Sequence, residues 1–276
     1  MDRFTGRTAV VTGASRGIGA ALAERLAAEG ADVLAVARTA DQHDHLAGSL
    51  RETVERCRRH GAGRVEAMVA DLSDEESRST IVPAALERFD GRLDVLVNNA
   101  AAAIYQPILG YPLRRRRLTF EVNVHGPLDL IQAAAPGMIE RGEGWILDVS
   151  SGTSLHERGF PSSPPVDRMN LGLYGASKAA LSRLTVAVAA ELMGTGVRVN
   201  SIEPRAGVAT EGALALSGGA MSGGNLEPME AMVEGALLLC DCPADWTGGV
   251  HVSLDLLEQV GARVMTLDGS TPLEGA

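Results

Sequence analysis

A tyrosine and a lysine stand four positions apart in the second half of the chain, in the segment YGASK at 174–178. Residues i and i+4 lie on one face of a helix, so the phenol of Tyr174 and the ammonium of Lys178 can reach one cleft together. A free phenol titrates at about 10, and a nearby cation lowers that pKa by roughly 1 to 3 units. The spacing therefore predicts that Tyr174 is a general acid/base, with a surface pair on an amphipathic helix as the alternative.

A strand, a glycine-rich turn and a helix follow one another at the amino end. Residues 7–12 (RTAVVT) read as a β-branched strand, the turn GASRGIG occupies 13–19, and an alanine-rich helix is predicted from Ala20 to Ala28. Glycines remove side chains where backbone must approach a pyrophosphate, and the free N–H groups at the start of the helix bind the anion. In this setting the turn indicates a dinucleotide phosphate site rather than an ordinary tight turn.

Strands and helices alternate along the rest of the chain. Further strands are predicted at 31–37, 64–70, 93–97, 145–149, 197–202 and 249–253, and helices at 50–60, 74–89, 112–140, 174–193 and 228–239. This order predicts an α/β fold: one Rossmann-type, doubly wound parallel sheet of about seven strands with helices on both faces. We expect a single domain over residues 1–276, because no linker or repeat separates two halves.

The carboxyl ends of the strands are where the predicted functional groups meet. Right-handed crossovers would bring the glycine turn, Ser151 and Tyr174 into one cleft. Residues 152–172 and 206–225 leave the sheet at the same end, and we expect them to form the loops of a substrate pocket. Within the first of these loops, His156, Phe160 and Met169 are candidates to touch substrate.

Composition disfavours several functional classes. The net charge of −10 argues against a nucleic-acid partner. No apolar run approaches a membrane span and no targeting peptide is visible, so we expect no membrane partner and a cytoplasmic location. Three scattered cysteines and the loop residues His43 and His45 lack further ligands at suitable spacing, so no metal is expected. The basic run Arg114 to Arg117 is expected to be a solvated or subunit-facing helix surface.

Taken together, the ordered motifs resemble those of the short-chain dehydrogenase/reductase family. They are Thr12-Gly13-x-x-x-Gly17-Ile18-Gly19, Asn98-Asn99-Ala100, Asn123, Ser151 and Tyr174-x-x-x-Lys178. The resemblance covers the chain from Phe4 to about Ser253 and implies an enzyme that uses NAD(H) or NADP(H) to interconvert an alcohol and a carbonyl. The long connection after the second strand, Pro204-Arg205 and the tail SLDLL at 253–257 look like a branch near the hydroxysteroid-dehydrogenase-like proteins.

The resemblance also implies roles for individual residues. Tyr174 would be the proton donor or acceptor, and Lys178 would lower its pKa and hold the nicotinamide ribose. Ser151 would hydrogen-bond the reacting oxygen, and Asn123 would support a water relay toward Lys178. Besides Tyr174 and Lys178, the positions that match the family's cofactor contacts are Gly13, Ser15, Arg16, Gly17, Ile18, Gly19, Arg38, Asp71, Leu72, Asn98, Ala100, Pro204, Val208 and Thr210.

Three departures from the family pattern bear on this site. Ala101 stands where relatives usually have glycine, which adds a methyl group near the cofactor. Arg205 replaces glycine after Pro204, and one extra residue precedes Val208, so contacts to the carboxamide of the nicotinamide are less certain. Ser151 and Tyr174 are 23 positions apart, whereas a much shorter interval separates them in most relatives.

The end of the second strand bears on which dinucleotide is bound. An NAD enzyme of this fold places a carboxylate there to accept the ribose hydroxyls, and this chain has Ala37 followed by Arg38. Together with Arg16, two guanidinium groups can converge on a 2′-phosphate. We therefore expect NADP(H) in preference to NAD(H). The alternatives are that Arg38 stacks on the adenine, that Arg16 points to solvent, or that Asp41 serves the hydroxyls.

The intact set of catalytic residues favours an oxidoreductase that acts on a small alcohol or carbonyl. The alternative is a non-catalytic dinucleotide-binding sensor on the same fold, which would have lost Tyr174 or Lys178. We also expect a homodimer or homotetramer, in which the helices at 112–140 and 174–193 pair across subunits, although their small residues could equally pack on their own sheet.

Overall fold

Seven parallel strands form the central sheet of the computed structural model, which describes residues 3–41, 47–60, 63–155, 170–217 and 226–273. The strands are β1 (Thr8–Thr12), β2 (Asp32–Ala37), β3 (Val65–Val69), β4 (Val95–Asn98), β5 (Gly144–Val149), β6 (Val197–Glu203) and β9 (Val250–Val252); the short β7 (Gly207–Val208) and β8 (Leu226–Glu227) pair separately. The order in the sheet is β3-β2-β1-β4-β5-β6-β9. The order reverses between β1 and β4, which is where ligands bind in open parallel sheets.

Helices cover both faces of this sheet. They are α1 (Gly17–Ala28), α2 (Leu50–Arg58), α3 (Glu75–Ser79), α4 (Ile81–Arg88), α5 (Leu113–Phe120), α6 (Gly126–Arg141), α7 (Gly172–Glu191), α8 (Glu211–Ser217), α9 (Met229–Leu239) and α10 (Ser253–Val260). One apolar core lies beneath α1, α2 and α9, and a second lies beneath α4, α6 and α7. The predicted α/β fold is therefore confirmed.

The central strands are apolar on both faces because both faces are covered. All five residues of β1 are buried. Ala9 and Val11 face the core beneath α1, and Val10 faces the opposite core. This alternation explains why the strand reads as a continuous apolar run in the sequence. Within the described ranges, no helix combines the length and the apolar character needed to cross a bilayer.

Proline divides two segments that the sequence predicts as single helices. The segment at 74–89 forms α3 and α4, because Pro83 has no N–H to donate to the carbonyl of Ser79 four residues earlier. The segment at 112–140 forms α5, a π-helical turn at Glu121–His125, and α6. Pro127 likewise leaves the carbonyl of Asn123 without its helical donor, which favours the wider turn at this point.

Several predicted boundaries also shift. Helix α1 begins at Gly17, three residues before the predicted start, so the last glycines of the turn belong to its first helical turn. Helix α7 begins at Gly172. Helix α8, at Glu211–Ser217, lies within the segment 206–225 that is expected to be a loop, and α10 follows β9 where no helix is predicted. The predicted strand at 249–253 is reduced to three residues, because Ser253 already begins α10.

Thr12 joins the glycine turn to the segment after β4. Its hydroxyl accepts hydrogen bonds from the backbone N–H groups of Asn99 (3.0 Å) and Ala100 (3.1 Å) and donates to the carbonyl of Val97 (3.2 Å). The two segments approach so closely that a Cβ on Gly13 would lie 2.8 Å from the Cα of Ala100. Gly13 also has a φ of 68°, so both space and backbone conformation require glycine at this position.

We expect Thr12→Val to lower the free energy of unfolding by about 1 to 3 kcal/mol, because two N–H groups lose their acceptor. Thr12→Ser keeps the hydroxyl and should stay close to the wild type. Denaturant unfolding of the three proteins measures the difference. An unchanged free energy of unfolding in Thr12→Val would contradict the role of the hydroxyl, and a loss in Thr12→Ser alone would point to the packing of the methyl group instead.

Candidate active site

Tyr174 and Ser151 are brought together by the first turn of α7. The side chain of Ser151 lies close enough to the phenol of Tyr174 to act on its pKa as a hydrogen-bond partner, and the Oγ of Ser151 accepts from the hydroxyl of Thr153 at 3.0 Å. A Cβ on Gly175 would lie 2.4 Å from the carbonyl oxygen of Thr153, so only glycine lets α7 pack this closely. The long interval between Ser151 and Tyr174 therefore does not separate them; most of it falls at 156–169, outside the described residues.

The pKa of Tyr174 is shifted in the direction opposite to that expected from a neighbouring cation. Burial raises the pKa, a second tyrosine, Tyr105, raises it further, and the hydrogen bond from Ser151 opposes the shift. The ring of Tyr105 meets the ring of Tyr174 edge to face, with centroids 5.7 Å apart. The Nζ atom of Lys178 lies 5.9 Å from the centre of the Tyr174 ring. In this arrangement Tyr174 is therefore a neutral phenol at physiological pH.

Lys178 is the only lysine in the chain, and all the other basic residues counted with it are arginines. Its side chain is buried, and its Nζ donates a hydrogen bond to the carbonyl of Val149 at 2.6 Å. Burial lowers the pKa of this ammonium to about 8, while the carboxylate of Asp148 acts to raise it. A buried ammonium is costly, so an isolated lysine in a chain rich in arginine indicates a specific need for this group.

Asn123 links α7 to the segment after β4. In the π-helical turn its Oδ1 accepts from the backbone N–H of Ala102 at 2.7 Å, and its Nδ2 donates to the hydroxyl of Ser177 at 2.9 Å. Ser177 in turn donates to the backbone carbonyl of Tyr174 at 2.7 Å. These bonds explain why an asparagine occurs within a helical segment. The predicted water relay toward Lys178 stays a prediction.

The start of α1 has the character of an anion site. Its N-cap, Arg16, makes no side-chain capping bond. The backbone N–H of Gly17 instead donates to a carboxylate oxygen of Glu211 in α8, at 3.1 Å. A Cβ on Gly19 would lie 2.3 Å from the Nδ2 of Asn99, so the turn stays open to backbone approach only with glycine there. The dipole and the free N–H groups at the start of a helix attract anions, which explains why a carboxylate binds at this position.

Two arginines lie near each other at the end of β2. Arg16 is partly buried, its Nη1 has no hydrogen-bond partner among the described residues, and its pKa is lowered by burial and by the charge of Arg38. Arg38 is exposed and follows the buried Ala37. Asp41, the acidic alternative, is ion-paired with Arg51. The two guanidinium groups are thus within electrostatic range of each other, and their convergence on a 2′-phosphate stays a prediction.

The predicted adenine and sheet contacts have partners of their own. One carboxylate oxygen of Asp71 accepts from the backbone N–H and the hydroxyl of Ser73, at 2.9 and 2.8 Å, and Leu72 is buried beside it. The side chain of Asn98 is turned into the sheet, where its Nδ2 donates to Asp148 at 2.9 Å. Asn98 therefore acts through the sheet rather than by pointing into the cleft.

An acidic residue, Glu227, holds the turn after β6 in place. Glu227 accepts from the backbone N–H of Arg205 at 2.9 Å and from the hydroxyl of Ser253 at 2.7 Å, while the guanidinium of Arg205 pairs with Glu258 at 2.8 Å. Arg205 thus anchors the turn to α10. At the other departure from the family pattern, Ala101 is exposed, so its methyl group does not crowd the turn.

Thr210 and Val208 lie between this turn and the start of α1. The hydroxyl of Thr210 accepts from the backbone N–H of Ala213 at 3.1 Å, near the start of α8, and Val208 is buried. A Cβ on Gly17 would lie 3.1 Å from the Cβ of Thr210. The structure therefore places Thr210 beside the start of α1. Among the described residues, no polar side-chain contact defines a role for the other predicted cofactor positions, which are Ser15, Ile18, Ala100 and Pro204.

Sequence reasoning gave no role to several residues that contact the site. Tyr105 could have been noticed as one of only three tyrosines, in the loop after a predicted strand. Asp148 could have been noticed as a carboxylate inside an apolar strand. Glu211 meets Gly17 across 194 positions, and no local pattern signals that contact.

Within the described ranges, no cluster of three or more His, Cys, Asp or Glu side chains could hold an ion. His43 and His45 lie outside the described residues. The thiols of Cys57, Cys240 and Cys242 are free and buried, and burial raises the pKa of each.

The chain belongs to the short chain dehydrogenase family, whose model matches residues 7–216. It is similar to hydroxysteroid dehydrogenase-like protein 2 of Danio rerio, at 29% identity over 261 residues, which are 95% of this chain and 60% of the relative. It is also similar to 1,6-dihydroxycyclohexa-2,4-diene-1-carboxylate dehydrogenase of Pseudomonas putida, at 37% identity over 73% of this chain and 67% of the relative. The resemblance predicted from the motifs, including its branch, is therefore confirmed.

Solved structures share the fold along most of the chain. A metagenomic short-chain oxidoreductase in complex with NADP matches with a TM-score of 0.72 and 28% identity, over 91% of this chain and 97% of that one. By contrast, the chain spans only 49% to 62% of the length of the hydroxysteroid dehydrogenase-like relatives it matches.

We expect the phenolate absorbance of Tyr174 to develop only above about pH 10, because burial disfavours the charged form. The difference between ultraviolet titrations of the wild type and of Tyr174→Phe isolates this group. A component that titrates near neutrality in the wild type and is missing from Tyr174→Phe would contradict the raised pKa.

Proposed function

We propose that the chain is an NADP(H)-preferring oxidoreductase that interconverts a carbonyl and a secondary or primary alcohol, with Tyr174 as general acid/base. The observation that carries the proposal is that the first turn of α7 packs against the segment after β5, which brings Tyr174 and Ser151 together, with the only lysine of the chain one helical turn further along. The dehydrogenase from Pseudomonas putida and the NADP-bound metagenomic oxidoreductase support the same class of reaction and cofactor.

The residues present fit a dinucleotide. Gly13 and Gly19 keep side chains away from the turn, and the N–H of Gly17 already holds a carboxylate where a pyrophosphate oxygen would bind. The Nη1 of Arg16, which has no partner in the part of the chain that the structure describes, suits a 2′-phosphate together with the nearby Arg38. Lys178 uses one of its three N–H donors on Val149, and the others can serve the nicotinamide ribose.

The bound nicotinamide would supply or accept the hydride, and the chain's own residues would handle the proton. In the direction of reduction, the Ser151 hydroxyl would orient the carbonyl oxygen and Tyr174 would donate its phenolic proton to that oxygen. The ammonium of Lys178 would then stabilise the resulting phenolate. The raised pKa of the resting phenol suits this acid role, because the group is fully protonated before the reaction begins.

The alternative of a non-catalytic sensor receives no support from the site. Ser151, Tyr174 and Lys178 are all present, and the first two are in contact. A sensor would need only the glycine turn, so selection for a buried ammonium beside the phenol would have no purpose there.

We keep the loop and assembly predictions as parts of the same proposal. Of the two expected pocket loops, the structure describes 152–155, 170–172 and 206–217, and residues His156, Phe160 and Met169 lie outside the described part. The contact of Glu211 with Gly17 supports a position of the second loop over the cleft. Pairing of α6 and α7 across subunits stays a prediction, and Ile139 and Val186 are the exposed large apolar side chains on these two helices.

Tyr174→Phe should lower kcat by about 100- to 10,000-fold while dinucleotide binding persists, because the change removes the proton and little packing. The measurement is turnover of a ketone or alcohol found by screening with both dinucleotides, together with calorimetric titration of the cofactor. The matched control is Tyr111→Phe, which removes a hydroxyl that donates to the carbonyl of Ile104 at 2.9 Å. Retention of most of the wild-type kcat by Tyr174→Phe would sink the assignment.

The wild type should bind NADP more tightly than NAD, since two charge-assisted bonds to a phosphate contribute roughly 1.5 to 3 kcal/mol each. The double variant Ala37→Asp/Arg38→Leu should shift the preference toward NAD, because the new carboxylate repels the phosphate and accepts the ribose hydroxyls. Calorimetric titration with each oxidised dinucleotide measures both effects, and Arg117→Leu serves as the control for net charge. A double variant with an unchanged preference would overturn the proposed role of this strand end.

A further inference from the structure

Asp148 is a fully buried carboxyl group in the middle of the sheet, and the proposed reaction does not use it directly. It lies in β5 and faces α7, with Asn98 of β4 and Ser201 of β6 beside it in register. The strand is otherwise apolar, with Ile146 and Leu147 preceding Asp148 and Val149 following it. A carboxyl group in this position is costly to bury unless its surroundings compensate.

Both oxygens of Asp148 have partners that suit an ionised carboxylate. Oδ1 accepts from the side-chain amide of Asn98 at 2.9 Å, and Oδ2 lies 2.7 Å from the hydroxyl of Thr185. The amide of Asn98 can only donate to a carboxylate oxygen, and Thr185 has one hydrogen to give. The pKa of Asp148 is raised, with burial as the largest cause, while the hydrogen bonds from Asn98 and Thr185 and the charge of Lys178 act in the opposite direction.

The surroundings of Lys178 supply little other compensation. Among the residues that the structure describes, the ammonium has one hydrogen bond, to the carbonyl of Val149, the residue that follows Asp148 in the same strand. Of the charged groups that the structure describes, Asp148 is the one that acts to raise the pKa of Lys178. Tyr174, on the same helix as Lys178, is neutral at physiological pH, and its neighbour Tyr105 also has a raised pKa.

We propose that Asp148 is a positioning residue whose carboxylate keeps the buried Lys178 in its ammonium form. The benefit of a charged Lys178 rests on the proposed function. A neutral amine could not donate three hydrogens to a ribose, and it could not stabilise a phenolate. The effect of Asp148 on the ionisation of Lys178 does not depend on whether the protein turns over a substrate. An opposite charge in a low-dielectric interior favours the charged form of its neighbour.

The chain offers a nearly isosteric variant that removes only the charge. In Asp148→Asn the new amide oxygen can accept from Asn98, and the new NH2 group can donate to the hydroxyl of Thr185. Thr185 can then give its own hydrogen to the carbonyl of Leu181, which lies 3.0 Å away. All the hydrogen bonds of the site can therefore be satisfied without the carboxylate.

A single lysine makes the test direct, because protein labelled with ¹³C- and ¹⁵N-lysine gives one set of lysine side-chain NMR signals. Titration of the wild type without any ligand should show a midpoint of about 8. In Asp148→Asn we expect the midpoint to fall by about 1 unit or more. Ser201→Ala is the control, since it alters the same row of side chains without a change of charge and removes a hydroxyl that has no partner among the described residues.

An Asp148→Asn midpoint equal to that of the wild type would overturn the proposal, and so would an equal shift in Ser201→Ala. If Asp148→Asn does not fold, Thr185→Val provides the second reading. It removes one donor to the carboxylate, disfavours its ionised form and should shift the Lys178 midpoint in the same direction by a smaller amount. An unchanged midpoint in that variant would then count against the proposal.

Enzyme kinetics tests the role of Asp148 and the proposed function separately. With a substrate in hand, the alkaline limb of kcat/KM for reduction should move to lower pH in Asp148→Asn, by the same interval as the NMR midpoint. If the NMR midpoint shifts but no carbonyl or alcohol is turned over, the pairing stands and the proposed function fails. If turnover occurs and the midpoint does not shift, the proposed function stands and the pairing fails.

Discussion

An ammonium group taken out of water must find acceptors for its protons or lose one of them. In this protein that constraint falls on one strand, because β5 supplies Lys178 with the carbonyl of Val149 and, on the proposal above, with the charge of Asp148. Helix α7 must then lie across β5 in one register. The same register sets Gly175 against Thr153 and brings the phenol of Tyr174 to Ser151. The position at which the ammonium of Lys178 can be buried thus helps to set the geometry of the candidate site.

The cofactor side of the cleft depends on a different kind of contact, one of backbone against backbone. Thr12 holds the segment after β4 through two N–H groups, and Gly13 and Gly19 let that segment approach the turn without a side chain between them. Asn123 continues the connection from Ala102 to α7. The glycine turn, the end of β4 and the start of α7 are therefore one connected unit, which is what a site needs if donors are to be held in place before a ligand arrives.

The sequence predicts the fold and the identity of the family well, because both rest on local signals: β-branched runs, a glycine turn and motifs of fixed spacing. It predicts less well wherever a remote or opposing effect decides the outcome. The helix at 112–140 is interrupted because Pro127 lacks one donor, a small effect within a strongly helical pattern. The spacing of Tyr174 and Lys178 shows that the two can meet, but not that burial outweighs the cation in setting the pKa of the phenol. The partners of Asp148 come from a neighbouring strand and a helix, which no local pattern connects.

The contact between Glu211 and the start of α1 gives the anion site a tethered competitor. Because the carboxylate belongs to the same chain, it meets Gly17 at a high effective concentration, and a simple inorganic anion must displace it without gaining any other contact. A dinucleotide, on the proposed function, touches the chain at several points and can meet that cost from the rest of its surface. The contact lies at the exposed edge of the cleft, so it is modest in strength and open to exchange. Filling of the phosphate position on the proposed function would therefore remove one hydrogen bond between α8 and the start of α1.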